Sequence, residues 1–220
     1  MEDAYIFQHV DHTLLKATAS WTEIEQLCNE AIKFSTASVC VPPYYVSRIR
    51  EAFPELNICT VIGFPLGYDT TAIKINATQF ALEEGANEID MVINLADVKN
   101  GAFGLISSEI TALGLILGPR VFKVIIETCY LTEAEKITLC QVVTDAGADY
   151  IKTSTGFGTG GATMEDVLLF KEHIGPEVKI KAAGGIRSRE DMVAFLEAGC
   201  SRLGTSSAVS ILTQGSAGSY

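Results

Sequence analysis

Histidine is scarce: His9, His12 and His173 are the only three in 220 residues. That leaves little material for a histidine-built metal site, and none stands at zinc-finger spacing, so no metal is expected. The six cysteines, Cys28, Cys40, Cys59, Cys129, Cys140 and Cys200, contain no C-x-x-C pair. They read as reduced, mostly buried small residues. No run of eighteen apolar residues occurs, and Met1-Glu2-Asp3-Ala4 lacks the basic start of a signal peptide, so a cytosolic protein with no membrane segment is expected. Basic residues are outnumbered 16 to 27, the net charge is -11, and no basic cluster offsets it. Nucleic acid is thereby excluded as a partner, and any anionic substrate must be held by local groups. Hydrophobic residues at 48% and charged residues at 20% exclude a disordered chain and suit one globular domain with a substantial core. The composition is compatible with a homo-oligomer and sets no stoichiometry.

What is present is a regular alternation. Eight β-branched runs, Val10–Leu14, Ala37–Val41, Ile58–Ile62, Glu88–Ile93, Val121–Ile126, Tyr150–Thr153, Val178–Ala182 and Arg202–Gly204, are separated by segments with helix start and stop signals. Ser20 with Glu23 and Thr132 with Glu135 have capping-box spacing, Thr163 and Ser188 precede Asp166 and Asp191 as N-caps, and Gly85, Gly147 and Gly199 act as stops. Eight such units predict an α/β protein, a closed (β/α)8 TIM barrel over residues 1–212 with a flexible tail over 213–220. An open doubly wound sheet is the alternative, and it lacks its usual G-x-G-x-x-G turn between Leu14 and Ser20.

Three polar residues interrupt the apolar strands. Lys152 lies in Tyr150-Ile151-Lys152-Thr153-Ser154-Thr155-Gly156-Phe157, inside a strand that ends at a glycine-bearing loop, and reads as the reactive centre. A free lysine amine titrates near pH ~10.4, so a nucleophilic lysine needs burial or a second cation to lose its proton at neutral pH. Lys181, beside the exit Ala182-Ala183-Gly184-Gly185, is that second cation. In Glu88-Ile89-Asp90-Met91-Val92-Ile93 the alternation sets Glu88, Asp90 and Val92 on one face and the apolar residues on the other. Singly, each would read as a solvated surface group. Three at matching strand ends read as a site.

In barrels of this kind the phosphate site commonly uses the loops after strands seven and eight. Here these are Ala183-Gly184-Gly185-Ile186 and Gly204-Thr205-Ser206-Ser207, where glycine lets backbone N–H groups approach and serine adds donors. The run from Thr155 to Thr163 is too glycine-rich for a simple connection and is expected to form a wall or lid of the same pocket. Thr155, Gly184, Gly185, Gly204, Ser206 and Ser207 are the candidate phosphate and substrate ligands.

Six blocks in this order resemble the deoxyribose-phosphate aldolases, class I aldolases of the lysine Schiff-base type: Asp11 to Lys16, Gly63 to Gly67, Glu88 to Asn94, Lys123 to Thr128, Tyr150 to Thr163, and Lys181 to Ile186. The resemblance spans nearly the whole chain. It implies reversible cleavage of 2-deoxy-D-ribose 5-phosphate to acetaldehyde and D-glyceraldehyde 3-phosphate, with small phosphosugar and aldehyde partners and no cofactor. It further implies that Lys152 forms the imine, that Lys181 lowers the Lys152 pKa, and that Asp90 moves protons with Lys181 and water, with Asp11 and Thr13 extending the relay. Asn94-Leu95-Ala96 and Phe157-Gly158 depart from the commoner family residues, glycine-containing and Phe-Ser respectively. Another class I aldolase or an isomerase on the same barrel, and a non-catalytic phosphosugar-binding protein, are the rival readings. Neither an isomerase nor a binder explains two lysines at strand ends.

Two further expectations concern parts outside this site. Strand parity points Glu88, Lys123 and Lys179 into the barrel, where Glu88 should pair with Lys123, Lys179 or both. The chain stops on Tyr220, whose phenol, eight residues from the last helix, is a candidate to enter the pocket and assist proton transfer.

Overall fold

A computed structural model describes residues 1–215. Every predicted run forms a strand: β1 (Val10–Thr13), β2 (Ser38–Val41), β3 (Ile58–Ile62), β4 (Glu88–Val92), β5 (Val121–Ile125), β6 (Tyr150–Lys152), β7 (Lys179–Ala183) and β8 (Arg202–Thr205). They pair in parallel in chain order, and β8 closes on β1, so the barrel forms and the open sheet does not. Around it run α1 (Asp3–Phe7), α2 (Trp21–Phe34), α3 (Val46–Ala52), α4 (Thr71–Glu83), α5 (Leu95–Lys99), α6 (Phe103–Leu117), α7 (Glu133–Asp145), α8 (Met164–His173), α9 (Arg189–Ala198) and α10 (Ala208–Gln214). Among the described residues no helix is long and apolar enough to cross a membrane.

The local signals act where the sequence puts them. Ser20, Thr132 and Ser188 each complete a reciprocal capping box, and the Thr163 side chain accepts from Asp166 N. Each cap satisfies helix N–H groups that would otherwise lack partners. Asn94 caps α5 by accepting from Ala96 N at 3.1 Å, which gives the departure at that loop a structural role. Thr213 and Gln214, expected in the tail, belong to α10. Tyr220 lies outside the described residues.

Strand alternation sorts two environments. Val39, Val41, Ile58, Ile89, Met91, Val124, Ile151, Ile180 and Leu203 join the main apolar core, which also takes in the helices' buried faces. The opposite face carries Asp11, Glu88, Asp90, Lys123, Lys152 and Lys181, all buried. The main apolar core therefore surrounds the barrel, while its lumen holds these acidic and basic side chains beside a small cluster of Cys40, Cys59 and Val61.

One further buried ion pair braces the outer layer. Lys74 Nζ on α4 reaches Glu109 Oε2 on α6 at 2.8 Å and donates to the Val92 carbonyl, at the end of β4, at 2.9 Å. The two side chains are 0% and 5% exposed. Removing one partner strands the other charge in the core, so Lys74→Met is expected to cost about 3–5 kcal/mol. Urea unfolding measures this, and a loss below about 1 kcal/mol would refute a bracing role.

Candidate active site

The lumen charges converge on two carboxylates. Asp90 Oδ2 accepts from Lys152 Nζ at 2.7 Å and from Lys181 Nζ at 2.6 Å, while Oδ1 lies 3.0 Å from Lys123 Nζ and accepts from Cys59 Sγ at 3.2 Å. Asp11 Oδ2 accepts from Lys181, and its Oδ1 accepts from Arg202 and, at 2.7 Å, from Ser38 Oγ. Sheet register makes this meeting inevitable: Lys152 and Lys181 are direct partners across β6 and β7, and Asp90 and Lys123 across β4 and β5. Their side chains share a face and a level.

Burial alone would raise the Asp90 carboxyl, but Lys123, then Lys152 and Lys181, override it and hold Asp90 well below the usual carboxylate range. Asp11 is held low in the same way, burial being outweighed by Lys181, Lys123 and Arg202. Burial pushes the Lys181 ammonium down, and Asp11 and Asp90 more than reverse it. Lys123 is likewise raised against burial, chiefly by Asp90. Both therefore stay protonated at neutral pH. Of the three lysines, Lys123 and Lys181 are sealed at 0% side-chain exposure, and only Lys152, at 4%, keeps any exposed side-chain surface.

A cavity of about 400 Å³ opens at the C-terminal face of the barrel. Its walls include Thr13, Thr155, Gly184, Gly185, Gly204 and Ser206. Thr13 Oγ1 donates to the Asp11 carbonyl at 2.7 Å rather than to the Asp11 carboxylate. Gly184 and Gly185 have φ of 79° and 76°, a left-handed pair that a side chain would strain. Ser207 lines an adjoining cleft with His12 and Glu30, and its N–H donates to Thr205 Oγ1 at 3.1 Å. Ser206 lines that cleft as well as the cavity, and the two serine hydroxyl oxygens lie 3.4 Å apart.

The glycine-rich run is a wall held by close packing. A Cβ on Gly161 would stand 2.3 Å from the Gly184 carbonyl oxygen, and Ala162 N donates to the Ala183 and Gly184 carbonyls at 3.1 and 3.0 Å. A Cβ on Gly158 would lie 2.9 Å from Cys129 Sγ, a side-chain rather than a backbone contact.

Some groups escaped the sequence reading. Lys179 is exposed at the lower rim, 5.6 Å from the Tyr150 ring centroid, and does not pair with Glu88. Glu88 pairs with Lys123, as expected, and with Arg202 Nη2 at 3.3 Å. Lys179 is the first residue of its strand, where the lumen meets water and an ammonium keeps its hydration. Arg202 was detectable, because it shares the inward parity of Gly204. Glu127 was not: it follows β5 with a left-handed φ of 53°, and its buried carboxylate accepts from Thr155 N at 3.1 Å and from Thr155 Oγ1. That hydrogen bond engages the Thr155 hydroxyl hydrogen. Burial raises the Glu127 carboxyl against those bonds.

Among the described residues two donor sets could hold a cation, Cys40, Cys59 and Asp90, and Asp11, Cys59 and Glu88, each with ligand atoms within 4.8 Å of one another. The Lys123 ammonium already contacts Cys59 Sγ at 3.5 Å and the carboxylates of Asp11, Glu88 and Asp90. The donors therefore suit ammonium groups better than a metal.

Known proteins share this arrangement's sequence and fold. The chain is 61% identical over 213 residues to a deoxyribose-phosphate aldolase of Clostridium botulinum, covering 96% of each chain. It is 56% identical over 209 residues to one of Clostridioides difficile, covering 94% of this chain and 95% of that one. The tetrameric deoxyribose phosphate aldolase of Aeropyrum pernix superposes with a TM-score of 0.88 at 31% identity, over 96% of this chain and 91% of the other. Residues 5–213 match the family described as DeoC/LacD family aldolase, and the chain belongs to that family.

Proposed function

We infer that this protein is a deoxyribose-phosphate aldolase, cleaving 2-deoxy-D-ribose 5-phosphate reversibly to acetaldehyde and D-glyceraldehyde 3-phosphate through a Schiff base on Lys152. The observation that carries the assignment of the nucleophile is the difference in access: three lysines approach Asp90, and only Lys152 has exposed side-chain surface. That difference favours Lys152 over the other two as the amine that meets a carbonyl carbon.

Lys123, Lys152, Lys181 and Arg202 face the carboxylates of Asp11, Glu88 and Asp90. Those carboxylates hold Lys123 and Lys181 protonated, so the Schiff base is assigned to Lys152. Its nitrogen then attacks C1 of the open-chain sugar, and water leaves as the protonated imine forms. The iminium accepts the C2–C3 bonding electrons while the C3 hydroxyl loses its proton, which releases D-glyceraldehyde 3-phosphate and leaves the enamine of acetaldehyde. Protonation at C2 and hydrolysis restore Lys152. The iminium is itself the electron sink, so this bond cleavage asks for no metal. Asp90 Oδ2, hydrogen-bonded to both Lys152 and Lys181, offers a route for protons between them and water, and Asp11 extends it behind Lys181.

Borohydride reduction in the presence of acetaldehyde, followed by peptide mapping, tests the assignment. A stable adduct on Lys152 supports it, and no adduct would return the chain to a binding protein. The phosphate is assigned to Gly184, Gly185, Gly204 and Ser206. Gly161→Ala, which pushes a methyl into the Gly184 carbonyl, should raise KM for the phosphosugar at least about tenfold. Trapping of acetaldehyde, which has no phosphate, should persist, and an unchanged KM would remove the turn from the site. The tetrameric Aeropyrum pernix relative supports a homo-oligomer for this chain, which light scattering would show.

A further inference from the structure

Of the residues lining the cavity, Lys16 alone carries a charge; the others are glycines, hydroxyl residues and apolar side chains. A phosphate monoester is close to a dianion at neutral pH, and this chain carries a net charge of -11. Backbone amides at the Gly184-Gly185 turn provide dipoles but no full charge. The strong local cations of the lumen are sealed and already paired to carboxylates. An entering phosphate therefore meets one cation in the cavity lining, Lys16, which three adjoining clefts share as a wall.

The local structure holds that ammonium loosely. Lys16 follows β1, with its backbone fixed by a turn in which Ala19 N donates to the Lys16 carbonyl at 3.0 Å. Its Nζ sits 2.5 Å from Glu23 Oε1, and the two side chains are 36% and 41% exposed, so water can take the place of either partner at modest cost. Glu23 does not depend on the pair for its position. Its other oxygen, Oε2, accepts from Ser20 N and Ser20 Oγ at 2.8 Å each, as the capping box of α2. Glu23 stays anchored when Lys16 leaves, and the flexible lysine stem can turn toward the Gly184-Gly185 turn and Ser206.

We propose that Lys16 is a substrate-binding residue, parked on Glu23 in the empty enzyme and transferred to the substrate's phosphate when the pocket fills. The exchange replaces one anionic oxygen by another, stronger acceptor and leaves the capping box intact. This rests on the reading that the cavity receives a phosphosugar, and it deepens that reading by naming the group that distinguishes phosphorylated from unphosphorylated sugars.

The test compares 2-deoxyribose 5-phosphate with 2-deoxyribose, which presents the same carbonyl without the phosphate. In Lys16→Met the ratio of kcat/KM for the phosphorylated over the plain sugar should fall at least about tenfold, with the loss carried by KM. Lys16→Arg, which keeps the charge, should recover most of the ratio, and Glu23→Gln, which weakens the parking contact, should leave KM equal or lower. An unchanged ratio in Lys16→Met, or equal losses on both sugars, would overturn the proposal. Calorimetric titration with inorganic phosphate reads Lys16 independently of the reaction. Phosphate binding in the wild type that is lost in Lys16→Met supports it even if no sugar is cleaved, in which case the aldolase reading alone falls. Phosphate binding of equal strength in both proteins overturns it.

Discussion

Lys152→Arg leaves no measurable sugar cleavage and no borohydride-trapped acetaldehyde adduct. Arginine keeps a cation near the Asp90 oxygen that Lys152 Nζ contacts at 2.7 Å, so this carboxylate keeps a donor on that side and the fold is retained. What it cannot do is lose a proton, since a guanidinium titrates above about pH 12 and offers no nucleophilic lone pair at neutral pH. Removing a nucleophile that forms the covalent intermediate typically costs about four or more orders of magnitude in kcat. A thermal midpoint close to wild type would show that the loss is chemical. Turnover above about one thousandth of wild type would move the imine to another amine, with Lys181 the nearest candidate and a sealed one.

Strand parity and register explain which parts of this could be read from sequence. Eight β-branched runs separated by caps specify the barrel, and period-two alternation puts Asp90, Lys152 and Lys181 on the inward face, because a side chain's face follows from its place in the strand alone. Height along the barrel does not. Lys179 and Lys181 share a face, yet one is hydrated at the rim and the other is sealed in the lumen. The second partner of Glu88 depended on barrel closure, which brings Arg202 of β8 to the β4 charge. Ser206 and Ser207 could not be separated without the course of the chain into α10. Glu127 gave no signal at all, because its left-handed backbone and its grip on Thr155 arise from two loops packing together.

Asp90→Asn should damage stability and turnover together. Three ammonium groups approach this one carboxylate: Lys181 at 2.6 Å, Lys152 at 2.7 Å and Lys123 at 3.0 Å. An amide keeps the shape, but it removes the negative charge and turns an N–H₂ group toward some of those donors. Breaking a buried, hydrogen-bonded charge cluster in this way costs about 3–5 kcal/mol. Loss of a group that relays protons lowers kcat by about 10²–10⁴-fold. The pH dependence distinguishes this from a packing defect. Asp90 has a folded-state pKa well below the ordinary carboxylate value, so its stabilising contribution is fully present above the unfolded pKa of about 3.9 and is lost as pH falls through the folded value. The stability gap between wild type and Asp90→Asn should therefore be constant from neutral pH to about pH 5 and shrink at lower pH, as the wild-type carboxylate takes up its proton. Chemical unfolding at a series of pH values measures the gap. A gap that stays constant or widens on acidification would mean that the carboxylate charge is not what holds the three lysines.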